Sequence, residues 1–115
     1  MTNETKRPGE FVAFEVAIQV IEEMRGVVAV VRRHDVDLAR QMVRSASSVA
    51  ANVAEGNRRV GKDRLHLFRV ASGSADETVA HLRVAQAWGY VEPTQVEGAL
   101  KLLDRELRLL SGLTR

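Results

Sequence analysis

A chain of 115 residues makes one domain that can bury roughly two-thirds of its unfolded surface. With no cysteine it can form no disulfide, which suits a reducing compartment. The N-terminus lacks a signal-type pattern, and no apolar run approaches the ~20 residues of a membrane span, so a soluble, cytoplasmic protein without membrane association is expected. The net charge of +2 is uneven: acidic side chains outnumber basic ones in residues 1–31, the eight basic side chains of residues 32–64 face four acidic ones, and residues 65–115 balance. A basic middle third can meet phosphates, or it can be a solvated face closed by internal ion pairs.

Residues 1–9 are polar and contain Pro8-Gly9, which predicts a disordered tail ahead of one domain over residues 10–115. Phe11, Phe14, Ile18, Ile21, Val28 and Val31 fall at helical spacing, predicting a first helix over about residues 10–31. Val27, Val28, Val30 and Val31 would also suit a strand, but the helical period is kept for about twenty residues. Asp35 or Asp37 can cap the second helix, over about 37–55, with Leu38, Met42, Ala46, Val49 and Val53 as its core stripe. Gly56 is expected to be its left-handed stop. Leu65, Phe68, Ala75, Val79, Leu82 and Ala85 mark a third helix over about 62–88, ended by Gly89. Thr94 to Glu97 has a capping-box pattern for a fourth helix over about 94–112. In that helix Val96, Leu100, Leu103, Leu107 and Leu110 form a heptad seam. Four amphipathic helices joined by turns of about five to seven residues predict an all-α, antiparallel, up-down-up-down four-helix bundle.

The chemistry of this sequence concentrates between Arg40 and Trp88. Ser45, Ala46, Ser47, Ser48, Ala50 and Ala51 put small side chains on the second helix, and Ala71 to Ser74 do the same on the third. Such residues let two helices approach closely. Asn52 and Glu55 border the apolar face, and Glu55 sits where the helix dipole disfavours an anion. Arg44, Arg58 and Arg59 are candidate cationic partners for it, and Glu77 can join the same group. Arg44, Ser48, Asn52, Glu55, Arg59, Ser74 and Glu77 are thus expected to form a polar network, within the subunit or between subunits, that sets register. His34, His66 and His81 show no metal-ligand spacing and are expected at the surface. No nucleophile elbow or glycine-rich phosphate loop is present, so neither catalysis nor a cofactor or metal is expected.

The run Gln41-x-x-Arg44-x-Ala46-x-Ser48-x-x-x-Asn52-x-x-Glu55-Gly56-x-x-Arg59, followed by Phe68-x-x-Ala71-x-Gly73-Ser74-x-x-Glu77, resembles the bacterial four-helix-bundle family first noticed in intervening sequences of 23S ribosomal RNA genes. The resemblance implies a small antiparallel bundle that assembles as a homo-oligomeric ring, typically a pentamer. Relatives include the accessory protein of diversity-generating retroelements, a basic pentamer that binds nucleic acid and works with a reverse transcriptase. The sequence departs from the family pattern at Gly61, where a serine cap is usual, and at Arg64, where a glutamate is common.

These readings together predict a non-enzymatic oligomer whose basic region meets RNA or DNA as an adaptor. Arg32, Arg33, Arg58, Arg59 and Lys62, at the turns flanking the second helix, are the candidate contacts. Recognition is expected to be phosphate-driven and weakly sequence-specific, because no aromatic platform accompanies these residues in the sequence. The alternative is an oligomeric ring that holds a reverse transcriptase or another protein without nucleic acid.

Overall fold

The computed structural model describes residues 8–115. The expected tail lies outside the described residues except for Pro8 and Gly9, which open the first helix. Four helices follow: α1 Pro8–His34, α2 Val36–Asn57, α3 Gly61–Ala87 and α4 Pro93–Leu113. Each packs on the next, and α4 closes the square against α1, as an up-down-up-down antiparallel bundle requires. The bundle measures 46 × 22 × 21 Å, so one end is separated from the other by the length of its helices.

The first two connections, of one and three residues, are shorter than the expected five to seven because the caps are built from the turn residues themselves, whereas the third has five. Asp35 alone joins α1 to α2: its amide still donates to the Val31 carbonyl, and its carboxylate accepts from the Leu38 amide at 2.9 Å. Pro93 occupies the first turn of α4, so the cap falls on Glu92, whose amide donates to Gln95 Oε1 at 2.8 Å. The capping motif therefore lies two residues before the expected Thr94–Glu97. Gly56 is not a left-handed stop either. It lies within α2, where its missing Cβ leaves room for the Phe68 ring; an added Cβ would sit 2.6 Å from that ring. Among the described residues, only Gly61 and Gly89 have positive φ.

The core stripe of α1 is rotated from that expected, while that of α4 keeps Val96, Leu103 and Leu110 and adds Ala99 and Glu106. Ala13, Val16, Ala17, Val20, Met24, Val27 and Val31 are buried on α1, while Phe14, Ile18, Ile21 and Val28 are half-buried and Phe11 is exposed. On α4 the buried positions are Val96, Ala99, Leu103, Glu106 and Leu110, with Leu100 and Leu107 half-buried at the flank. α1 carries two apolar stripes, and the buried one has the smaller side chains, which let the helices close together. The core falls into two clusters. The larger includes Leu103, and the smaller joins Ala13, Val53, Phe68, Ala71 and Leu110. Glu106 lies on α4 between Leu103 and Leu110, at the junction of the two.

Candidate nucleic-acid interface and the polar seam

The small residues of α2 and α3 meet as the sequence suggests. Ser48 Oγ and Ser74 Oγ lie 2.8 Å apart, and Asn52 Nδ2 donates to the Ser48 carbonyl at 2.9 Å and approaches its hydroxyl at 3.0 Å. The seam continues through two residues that spacing alone did not single out. The Thr78 hydroxyl lies 2.8 Å from both the Ser45 hydroxyl and the Ser74 carbonyl oxygen, so its one hydrogen serves one of them at a time. The only available signal was that small polar residues on both helices continue past Ser74.

His81 extends this seam and is half-buried, contrary to the expected surface position. Its Nδ1 is 3.1 Å from Ser45 Oγ and its Nε2 is 3.7 Å from Glu77. Glu77 pairs with Arg44, which also donates to Gln41 Oε1 from Nε at 3.0 Å and Nη2 at 2.8 Å. Burial lowers the His81 pKa; the Glu77 carboxylate opposes this, and Arg44 adds to it. Hydroxyl, imidazole and carboxylate thus stand in the order of a hydrolytic triad. Ser45 is wholly buried, however, and shares its hydroxyl with Thr78, so no solvent-borne carbonyl meets it.

Glu55 does not join Glu77. It pairs with Arg59 one turn on, in a half-exposed contact. Arg44, the partner of Glu77, lies eleven residues earlier on α2, about 16 Å along the axis. The expected single network is therefore two: Arg44, Ser48, Asn52, Ser74 and Glu77 along the α2–α3 seam, and Glu55 with Arg59 at the end of α2.

A third polar contact was not read from the sequence. Arg64 pairs with Glu10 across α1 and α3, both largely buried, and its guanidinium lies 4.8 Å from the centroid of the Phe68 ring. The departure from the family pattern at Arg64 is thus matched by an acid on α1. Glu106, also missed because a glutamate in a heptad suggests a solvent position, is fully buried. Neither of its carboxyl oxygens has a hydrogen-bond partner among the described residues. Burial pushes its pKa up to about 8, against a smaller opposite pull from Arg105.

The basic candidates occupy opposite ends of the bundle. Arg32 and Arg33 close α1, whereas Arg58, Arg59 and Lys62 surround the α2–α3 turn; the 22 residues of α2 put the two groups about 33 Å apart. Arg32, Arg33, Arg58 and Lys62 are exposed and have no ion-pair partner among the described residues. From the Arg32 end a groove of about 430 Å³ runs along the bundle, lined by Arg32, Val36, Arg40, Val43 and Arg44. At the other end Arg59 shares a smaller depression with Glu55 and Asp63, which offset its charge. The expected lack of aromatic residues beside the arginines is also overturned, since His34, Tyr90 and Trp88 stack at the Arg32 end.

These features define an antiparallel four-helix bundle with a polar seam between its second and third helices and arginines at both ends. The family model of the 23S rRNA-intervening sequence protein matches residues 10–112, and the chain belongs to that family. The chain is also similar in fold to the crystal structure of a protein of unknown function from the S23 ribosomal protein family of Bacteroides thetaiotaomicron. The TM-score is 0.82 at 17% identity, covering 92% of this chain and 97% of that one. Among curated proteins, none matches the chain. No helix among the described residues is long and apolar enough to cross a membrane, and none of their acid and histidine side chains group as a metal site.

Proposed function

We propose that the protein is a non-enzymatic, homo-oligomeric bundle, pentameric by family expectation, that binds RNA or DNA in the cytoplasm as an adaptor. The observation that carries this reading is the exposed pair Arg32 and Arg33, free of ion pairs among the described residues, at the end from which a groove runs past Arg40 and Arg44, themselves paired with Asp37 and Glu77. Guanidinium groups without internal partners are available to phosphates, and binding then releases counterions, making affinity fall steeply with salt. Self-association is supported by the apolar flank of α1 and its groove of about 220 Å³ against α2, lined by Ile21, Met24, Val28, Met42, Val43 and Ala46 among others.

The test is binding of a mixed-sequence structured RNA across a salt series, with the oligomeric state followed by light scattering. Arg32→Ala/Arg33→Ala is expected to weaken binding at low salt and to reduce the log–log salt slope by about two. Arg58→Ala/Arg59→Ala should reduce it by less, because Arg59 already faces Glu55. Unchanged affinity in both double variants overturns the assignment. The same apolar groove favours a second reading, an oligomeric ring that holds a reverse transcriptase or another polypeptide. An oligomer indifferent to RNA at low salt would decide for it.

A further inference from the structure

The third helix ends in a built turn. Gly89 adopts φ +78°, its amide donates to the Gln86 carbonyl at 2.9 Å, and the Tyr90 amide donates to the Ala85 carbonyl at 3.0 Å. This pair of bonds is the Schellman motif, and it holds the residues on either side of Gly89 in a defined relation. Tyr90 thereby packs partly on the core and stacks on His34 from the end of α1, with centroids 4.9 Å apart and planes 7° from parallel. Trp88 stacks on the same tyrosine, with a centroid separation of 6.5 Å and an angle of 18°. Three rings, one from the end of α1 and two from the α3–α4 connection, thus lie nearly parallel, within the range of favourable aromatic pairs. Trp88 belongs to neither core cluster and is 70% exposed, the most open aromatic residue of the described chain.

Two arginines adjoin this row. Arg32 and Arg33 precede His34 and are unpaired among the described residues. Of the acids at the same end, Asp35 caps α2 and Asp37 pairs with Arg40 at 3.2 Å, while Glu92 is exposed at the start of α4. An apolar peptide would bury the tryptophan but leave these arginines without counter-charge. A single-stranded nucleic acid satisfies both, offering a π-face to the indole and phosphates to the guanidinium groups.

Resting on the nucleic-acid reading above, we infer that His34, Tyr90 and Trp88 form a stacking platform on which an unpaired base of single-stranded RNA or DNA lies against Trp88, its flanking phosphates held by Arg32 and Arg33. The platform adds a preference for unpaired strands over duplex, in which bases are already stacked, without adding sequence specificity.

Trp88 is the only tryptophan in the sequence, so its emission reports this face alone. The experiment titrates the full-length protein with a short single-stranded oligonucleotide, an abasic oligomer of equal length and charge, and a duplex. Tryptophan emission and the anisotropy of labelled strands are both followed. The expected result is quenching by the base-bearing single strand and not by the abasic oligomer. Trp88→Ala should lose about 5- to 150-fold in single-strand affinity with the urea midpoint unchanged, and Trp88→Phe should recover part of it. If the strands bind with a salt-dependent anisotropy change, yet emission is unaffected and Trp88→Ala binds as well as wild type, the platform is refuted while the nucleic-acid reading stands. If no strand binds at low salt, both fall. Emission that follows protein concentration instead of oligonucleotide assigns the face to a second copy and also overturns the inference.

Discussion

Replacing Glu106 by glutamine should stabilise the bundle, and the gain should grow with pH in a defined window. The carboxyl is fully buried between Leu103 and Leu110, without a hydrogen-bond partner among the described residues, and its pKa rises from 4.5 to about 8. A raised acid pKa means that the folded state keeps its proton while the unfolded chain gives it up. Below pH 4.5 both states are protonated, and the shift contributes nothing. Between 4.5 and 8 the unfolded state alone ionises, so stability falls by about 1.4 kcal/mol per pH unit; above 8 the loss levels off. At pH 7 the loss is on the order of 3 kcal/mol, a large fraction of what a domain of this size has in hand. His81 acts with the opposite sign and elsewhere: its depressed pKa makes stability fall as pH drops below its ordinary 6.5, and it adds no slope above that value. The range from pH 6.5 to 8 therefore isolates Glu106. Urea denaturation at fixed protomer concentration should show wild type losing about 2 kcal/mol across that range, a midpoint shift of about 1 M, while Glu106→Gln stays flat. Parallel curves for the two proteins would mean that the carboxylate is already ionised in the folded state, and the burial argument would be wrong.

Two further substitutions test the packing that positions the arginines of the α2–α3 turn. Gly56→Ala places a Cβ 2.6 Å from the Phe68 ring and should destabilise by about 1–3 kcal/mol, with Phe68→Leu costing less in that background than in wild type. A double-mutant cycle without coupling would refute the close approach. Arg64→Ala removes the guanidinium that faces the largely buried Glu10 carboxylate and should cost about 3 kcal/mol, whereas Glu10→Gln/Arg64→Met should recover much of it. Equal unfolding midpoints for wild type and the single variant would show that the pair contributes nothing.

Local information was sufficient for the helices and their order. The 3.6-residue period, the cap at Asp35 and the helix end at Gly89 are each read from a few neighbouring residues, and neighbouring residues cause them. The family could also be named from short-range motifs, and Ser48, Asn52, Ser74, Arg44 and Glu77 could be nominated because small and polar residues recur on two adjacent helices. The face each helix turns inward was not local. α1 carries two apolar stripes, and only packing against neighbouring helices chooses Ala17 over Ile18 there and Glu106 over Leu107 on α4. Contacts across the bundle were equally hidden, since Glu10 and Arg64 are 54 residues apart and nothing in either neighbourhood names the other. The aromatic row has the same origin: His34 ends α1 and Tyr90 lies in the α3–α4 connection, and antiparallel packing alone brings the two to one end. A sequence by itself determines what a chain builds within a few turns of helix. Pairings between turns far apart depend on how the helices rotate and stack, which is a property of the whole core.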